Sequence, residues 1–309
     1  MAWLKKGLIH VPEFNGDWSV SHAQMPVVDL ISEDVARIYF GTRNAEIHTV
    51  TTYIEVVASR PQEVLYVHDK PVLSCGELGC FDDGGAMLSW ILTHQGKKYF
   101  YYVGWNAGVT VGYRNSIGVA VSEDGGKTVT RMFKGPIVDR SKTEPQFCST
   151  PCVMVENGKW RMWYLNGVSW KKIDGHSEPL THIKYAESDN GIDWVRNGQI
   201  VVDIRSDEGG VAKPHVLKED GIYKMWYCYR GAADYRKNPS HAYRIGYAES
   251  PDGIAWQRMD DKAGIDVSAG EWDSVMLAYP YVYKHKGRKY LVYNGDGFGQ
   301  TGIGYAVWE

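Results

Sequence analysis

Two stretches of the chain alternate apolar and polar residues in the same way and break at the same place. Residues 182–200 read HIKYAESDNGIDWVRNGQI and residues 244–258 read RIGYAESPDGIAWQR, so Tyr185, Glu187, Gly191 and Trp194 recur as Tyr247, Glu249, Gly253 and Trp256. A period of two predicts half-buried strands, and the Asp-Asn-Gly or Pro-Asp-Gly break predicts a hairpin turn between them. A second hairpin precedes each copy, in TPCVMVENGKWRMWYLNG (150–167) and KPHVLKEDGIYKMWYCYRG (213–231). The plan returns as LSWILTHQGKKYFYYVGWN (88–106), YPYVYKHKGRKYLVYNGDG (279–297) and, more loosely, MPVVDLISEDVARIYFGTRN (25–44). With Pro26, Ser89, Pro151, Pro214 and Pro280 taken as equivalent, the spacings are 63, 62, 63 and 66 residues.

Self-similarity at this period, with no helical periodicity between the strands, is what propeller blades require. The pattern predicts an all-β chain: one five-bladed β-propeller domain over 1–309, built of four-stranded antiparallel blades. The blades fall near 20–74, 82–140, 144–204, 207–267, and 273–309 together with 2–12. The last blade lacks a fourth strand, while Trp3, Gly7 and Ile9 repeat the spacing of Trp194, Gly198 and Ile200. The N-terminal segment is therefore expected to pair with the last blade and close the ring, leaving no open edge there.

Composition narrows the function. The 12 Trp and 21 Tyr supply rigid aromatic surface suited to strand packing and to stacking on sugar rings. A net charge of −3 provides no basic field for nucleic acid or an anionic membrane, so neither is an expected partner. Five cysteines, an odd number without paired zinc-type spacing, read as reduced thiols of a cytoplasmic protein, and no metal or other cofactor is expected. The Asp-Gly pairs at 124–125, 220–221 and 252–253 are hairpin turns rather than calcium loops. The opening MAWLKKGLIHVPEF has too short an apolar run before Pro12 and Glu13 for a signal peptide, and no later run approaches eighteen apolar residues.

In such a topology the starts of the inner strands and the loops between second and third strands reach the same face. The first group supplies Ser21, His22, Gln24, Asp82, Asp83, Glu144, Lys213 and Asp273. The second supplies Arg43, Asn44, Trp105, Asn106, Tyr113, Arg114, Asn115, Trp170, Lys171, Arg230, Asp234, Tyr235, Arg236, His241, Asn294 and Asp296. Carboxylates, cations and aromatic rings together suit a sugar site.

The five-unit plan and the Tyr-Ala-Glu-Ser-x-(Asp/Asn)-Gly-Ile-x-Trp hairpins resemble the five-bladed propeller glycosidases: the invertase, levansucrase and arabinanase group, with the mannoside phosphorylases as relatives. The runs SHAQMP, GELGCFDDGG, YRNSIGVAVSEDGGKT and YAESPDGI resemble bacterial glycosidase-like proteins belonging to surface-polysaccharide gene sets. The resemblance implies a propeller with three acids at inner-strand starts, two of which flank the scissile bond. The first position here reads Ser21-His22-Ala23-Gln24, without a carboxylate, and Ser149-Thr150-Pro151 replaces the implied Glu-x-Pro.

The expected catalytic set is Asp83 and Glu144 as acid and base, assisted by His22, whose imidazole titrates near neutrality. The alternative readings are Asp83 as a turn residue, Glu144 as an exposed loop charge and His22 as a satisfied polar residue beside the channel. Substrate binding is expected from Arg43, Asp82, Trp105, Asn106, Tyr113, Arg114, Trp170, Lys213, Arg230 and His241. The cations gather either for an anionic ligand or to pair with Asp82, Asp83, Glu144 and Asp273. The overall expectation is a cytoplasmic, glycoside hydrolase-like enzyme that cleaves or transfers a glycosyl unit of a small-molecule or oligosaccharide substrate, anionic or phosphorylated sugars included, in surface-polysaccharide metabolism. A non-catalytic sugar-binding propeller, and a phosphate-dependent phosphorylase or glycosyltransferase-associated protein, are the alternatives.

Overall fold

The computed structural model describes residues 2–11, 16–173, 175–236 and 238–309. Its strands run β1 (Trp3–His10), β2 (Ser21–Leu30), β3 (Val35–Arg43), β4 (Thr49–Val57), β5 (Arg60–Val67), β6 (Gly85–His94), β7 (Lys97–Ala107), β8 (Tyr113–Ser122), β9 (Thr130–Arg131) and β10 (Cys148–Glu156). They continue as β11 (Lys159–Ile173), β12 (His176–Ser188), β13 (Ile200–Val202), β14 (Glu208–Glu219), β15 (Ile222–Gly231), β16 (Arg244–Ser250), β17 (Gln257–Arg258), β18 (Ala278–His285), β19 (Arg288–Asn294) and β20 (Ile303–Trp308). Antiparallel pairing groups them by fours: β2–β5, β6–β9, β10–β13, β14–β17, and β18–β20 with β1. Single parallel pairs, Thr49 with Gly85 and Thr181 with Gly210, join the first group to the second and the third to the fourth.

The N-terminal strand completes the last group. Trp3 lies opposite Trp308, and the register runs to His10 opposite Ile303. Of the segment 2–12 expected there, Pro12 lies outside the described residues.

The evenly spaced prolines mark a recurring distortion. The inner strand of every group shifts register, between Gln24 and Val27, Leu88 and Trp90, Ser149 and Cys152, Ala212 and His215, and Ala278 and Tyr281. In four groups the residue before the proline is left-handed: Met25 (φ 57°), Thr150 (37°), Lys213 (51°) and Tyr279 (55°). Left-handed backbone costs a non-glycine residue about 1–2 kcal/mol, and proline follows it where the ladder is already interrupted and needs no N–H. The bulge also re-aims the side chain it carries. Lys213 is completely buried, with Nζ donating to the Ser89 carbonyl at 3.0 Å.

A second contact repeats between groups. Tyr39 Oη donates to the Gly126 carbonyl (2.7 Å), Tyr101 Oη to Gly191 (2.9 Å) and Trp163 Nε1 to Gly253 (2.8 Å), each from a second strand to the hairpin turn of the next group. Tyr283 of the fifth group donates in the same sense to Ala58 of the first (2.8 Å). Glycine is required in these turns on two counts. Gly126 has φ 90°, and a Cβ there would stand 2.2 Å from the Tyr39 hydroxyl. From the fourth group to the fifth the contact is apolar, with Trp226 edge-on to Trp3 at 6.3 Å.

Trp3, 5% exposed and also edge-on to Trp308 at 5.0 Å, couples the first strand to both neighbours. Trp3→Ala should cost about 3–5 kcal/mol, read as a lowered urea midpoint. A loss under about 1 kcal/mol would show that β1 does not hold the last group together.

Candidate active site

The loops between second and third strands and the starts of the inner strands enclose a cleft of about 340 Å³. Gln24, Met87 and Tyr279 enter it from inner strands, Arg43 and Trp105 from second strands, and Ile47, Tyr113, Tyr235, Arg236, Tyr243 and Phe298 from the loops or their margins. Aromatic rings form most of the wall. Tyr113 is braced from behind by Phe147 and Trp170, edge-on at 5.9 and 5.4 Å.

Two cations face this space. Arg43 donates to Gln24 Oε1 at 3.2 Å, and Gln24 in turn donates to the Tyr279 hydroxyl at 3.2 Å. Among the described residues no carboxylate lies within ion-pairing distance of Arg43, and none lines the cleft. Burial, opposed by Tyr279 and reinforced by the charge of Arg236, pulls the Arg43 guanidinium below its ordinary value. Arg236 lies over the rings of Tyr235 (4.7 Å) and Phe298 (5.3 Å), and its Nε donates to Glu178 at 3.2 Å. The two guanidinium groups thus feel each other, and among the described residues the one carboxylate that meets them, Glu178, is bonded to Arg236 alone of the two. The cleft presents guanidinium groups beside aromatic faces.

Over its full length the chain is 37% identical to the uncharacterized protein Rv1502 of Mycobacterium tuberculosis (strain ATCC 25618 / H37Rv), across 310 residues and 100% of both chains. The chain belongs to the Rv1502 family. The uncharacterized protein MT1551 of M. tuberculosis (strain CDC 1551 / Oshkosh) is likewise 37% identical across 100% of both chains. No family model matches the sequence.

Among solved structures, BT0996 in its complex with RGII has a TM-score of 0.78 at 19% identity, covering 99% of this chain and 91% of that one. A thermostable family-43 glycoside hydrolase has a TM-score of 0.67 at 16% identity, with coverage of 96% and 91%. A protein of the GH130 family of mannoside phosphorylases, which contains glycoside hydrolases that target β-1,2 mannosidic linkages in Candida mannan, has a TM-score of 0.72 at 13% identity, with coverage of 99% and 93%. This chain therefore has the fold of these glycoside hydrolases.

Of the residues expected to bind substrate, Arg43, Trp105 and Tyr113 line the cleft, with Trp170 in the layer behind Tyr113, and Gln24, Asn115, Tyr235 and Arg236, placed at this face by strand order, line it as well. Arg114 does not reach it. Neighbours on a strand point to opposite faces, so with Tyr113 and Asn115 lining the cleft, Arg114 is exposed on the other side. His241 is exposed and bonded to the Ala233 carbonyl (3.0 Å). Arg230 is buried beneath Tyr235, 3.9 Å from the ring centroid, and donates to the Pro179 carbonyl. Lys213 is enclosed against the rings of Trp90 and Tyr281, where burial lowers its ammonium to about 8.

The nominated carboxylates have other work. Asp83 accepts from the Gly79 N–H (2.9 Å) and from Asn106 (2.5 Å), so both its oxygens, and Asn106 with them, tie down the loop before β6. Asp82 and Glu144, each 1% exposed, belong to a repeated ion pair between an acid entering a group and a cation on or beside its outer strand. Asp82 meets Arg131 (2.8 Å), Glu144 meets Arg196 (2.7 Å), Glu208 meets Arg258 (2.8 Å) and Asp273 meets Lys5 (2.5 Å). A second-strand tyrosine adds a bond to three of these acids: Tyr102 to Asp82, Tyr164 to Glu144 and Tyr293 to Asp273. The short outer strands turn their cations inward, and the entering acids neutralise them.

His22 stands beside Arg43, with Nδ1 2.8 Å from Ser21 Oγ. Burial and then the Arg43 charge hold its imidazole at about 4 against an ordinary 6.5. Sequence reasoning did not single out Tyr243, Tyr279, Phe298, Met87 or Glu178. For Tyr279 a signal existed, since it occupies the pre-proline bulge shared with Met25, Thr150 and Lys213.

Two measurements test these assignments. Glu144→Ala should destabilise the fold by about 3–5 kcal/mol because it strands Arg196 and Lys184; a fully stable variant would place Glu144 outside the fold's support. For His22 the folded state holds its proton less tightly than the unfolded one, so its contribution to stability is present above pH 6.5 and is lost as pH falls toward 4. Melting temperature measured across that range should fall less steeply in His22→Asn than in the natural protein, and parallel curves would remove the assignment.

Proposed function

We propose that this chain is a carbohydrate-active, glycoside hydrolase-like protein: a single five-bladed β-propeller whose cleft takes a small sugar or the end of an oligosaccharide carrying an anionic group. Five groups of four strands, each clasped to its neighbour, support the five-bladed reading, with β1 as the outer strand of the last blade. The observation that carries the function is the pairing of Arg43 and Arg236 in an aromatic cleft without a lining carboxylate among the described residues. Aromatic faces stack on the apolar faces of a sugar ring, and guanidinium forks bind carboxylate or phosphate oxygens.

In this reading glycosyl cleavage or transfer proceeds without Asp83 and Glu144 as the acid and base, because both oxygens of each are tied within the fold. His22, neutral near pH 7 beside Arg43, is the candidate base. The five cysteines are unpaired thiols, which supports a cytoplasmic setting. Because the cleft wall has no carboxylate among the described residues, a sugar-binding propeller without turnover is the second reading.

Binding of glucuronic acid and glucose, measured by calorimetry, tests the first point. Arg43→Ala should weaken the acid by roughly 10- to 100-fold and leave the neutral sugar nearly unchanged; equal losses for both would remove the anionic assignment. If an acidic glycoside is turned over, His22→Asn should depress kcat by at least about 100-fold with KM little changed. Binding with no turnover in the natural protein selects the binding module.

A further inference from the structure

The third group carries more structure than its fold requires. Its β11 and β12 span 15 and 13 residues, against 11 and 10 for β7 and β8, and 10 and 7 for β15 and β16. Beyond a register shift at Gly167 and Ser169 the extra ladder runs through Trp170 opposite Pro179 and Lys171 opposite Glu178. This arm leaves its own group and bonds to both neighbours. Ser177 Oγ donates to the Thr110 carbonyl of the second group (3.4 Å), and the Pro179 carbonyl accepts from Arg230 of the fourth (2.5 Å).

Glu178 makes the contact that bears on the cleft. Its Oε2 accepts from the Tyr235 hydroxyl (2.8 Å) and its Oε1 from Arg236 Nε (3.2 Å). A guanidinium has five donors in a fixed plane, and this bond uses the one nearest the side-chain stem. Among the described residues no acceptor meets the two terminal amino groups of Arg236, while Tyr235 and Phe298 confine its plane. The arm thus holds one edge of Arg236 and leaves the other edge for an incoming anion.

We propose that Glu178 is a positioning residue for the cleft, carried across from the third group to fix Arg236 with its terminal amino groups toward the anionic oxygens of the ligand. The inference rests on the anionic-ligand reading of the cleft. A competing role makes the opposite prediction: if Glu178 only neutralised Arg236, removing its charge by any substitution would strengthen anion binding.

The test is calorimetric titration of the full chain with inorganic phosphate and with glucuronic acid at fixed ionic strength. Arg236→Ala should lose roughly tenfold or more in affinity. Glu178→Ala should show a similar loss, while Glu178→Gln, whose amide oxygen still accepts from Arg236 Nε, should bind within about threefold of the natural protein or tighter. Glu178→Ala binding as well as or better than the natural protein, with Arg236→Ala impaired, overturns the positioning role and leaves the cleft reading intact. Normal binding by Arg236→Ala, or no binding of either probe by the natural protein, overturns the cleft reading and this inference together.

Discussion

Four of the five seams between four-stranded groups are held by a hydrogen bond from an aromatic side chain in one group to a turn carbonyl in the next. Tyr39, Tyr101 and Trp163 each reach such a carbonyl, and Tyr283 carries the same contact from the fifth group back to the first. At Gly126, Gly191 and Gly253 the bond joins a buried ring with a polar tip to a turn opened by left-handed glycine. Their pairing explains why aromatic second strands and Asp-Gly turns recur together. The repeated hairpin is half of a joint whose other half lies about ninety residues away in the chain.

The joint determines what the charged residues can do. The second to fifth groups each secure the outer edge by an ion pair to the acid that enters the group. A buried acid held by a cation and a tyrosine keeps its oxygens within the scaffold instead of facing a ligand. Carboxylates are thereby drawn into the scaffold. The two arginines on the face of the cleft, Arg43 and Arg236, are left with donors to offer.

A division of labour among the five groups follows. The first, second, fourth and fifth supply the wall of the cleft, whereas the third works from behind, through Phe147 and Trp170 under Tyr113 and through the arm that bears Glu178. An arm on one group that contacts two others makes the cleft sensitive to the relative placement of those groups. Rigidity at the joints is accordingly a condition for holding the guanidinium groups where they are.

The strands, their grouping by fours and the pairing of β1 with β20 are legible in the chain alone, because alternation, turn glycines and equal spacing are local properties repeated often enough to be read. The same regularity brings Arg43, Trp105 and Tyr113 to the cleft face, since strand order carries second-strand ends there. Side-chain direction and partnership belong to the folded molecule. Arg114 and Tyr113 are adjacent in the chain yet point to opposite faces, and Glu144 meets Arg196 52 residues away. Lys213 turns into the core on a bulge whose left-handed backbone no propensity foretells. Whether a charge is available to a ligand depends on which opposite charge folding brings against it, and that is a property of the packed molecule rather than of any segment.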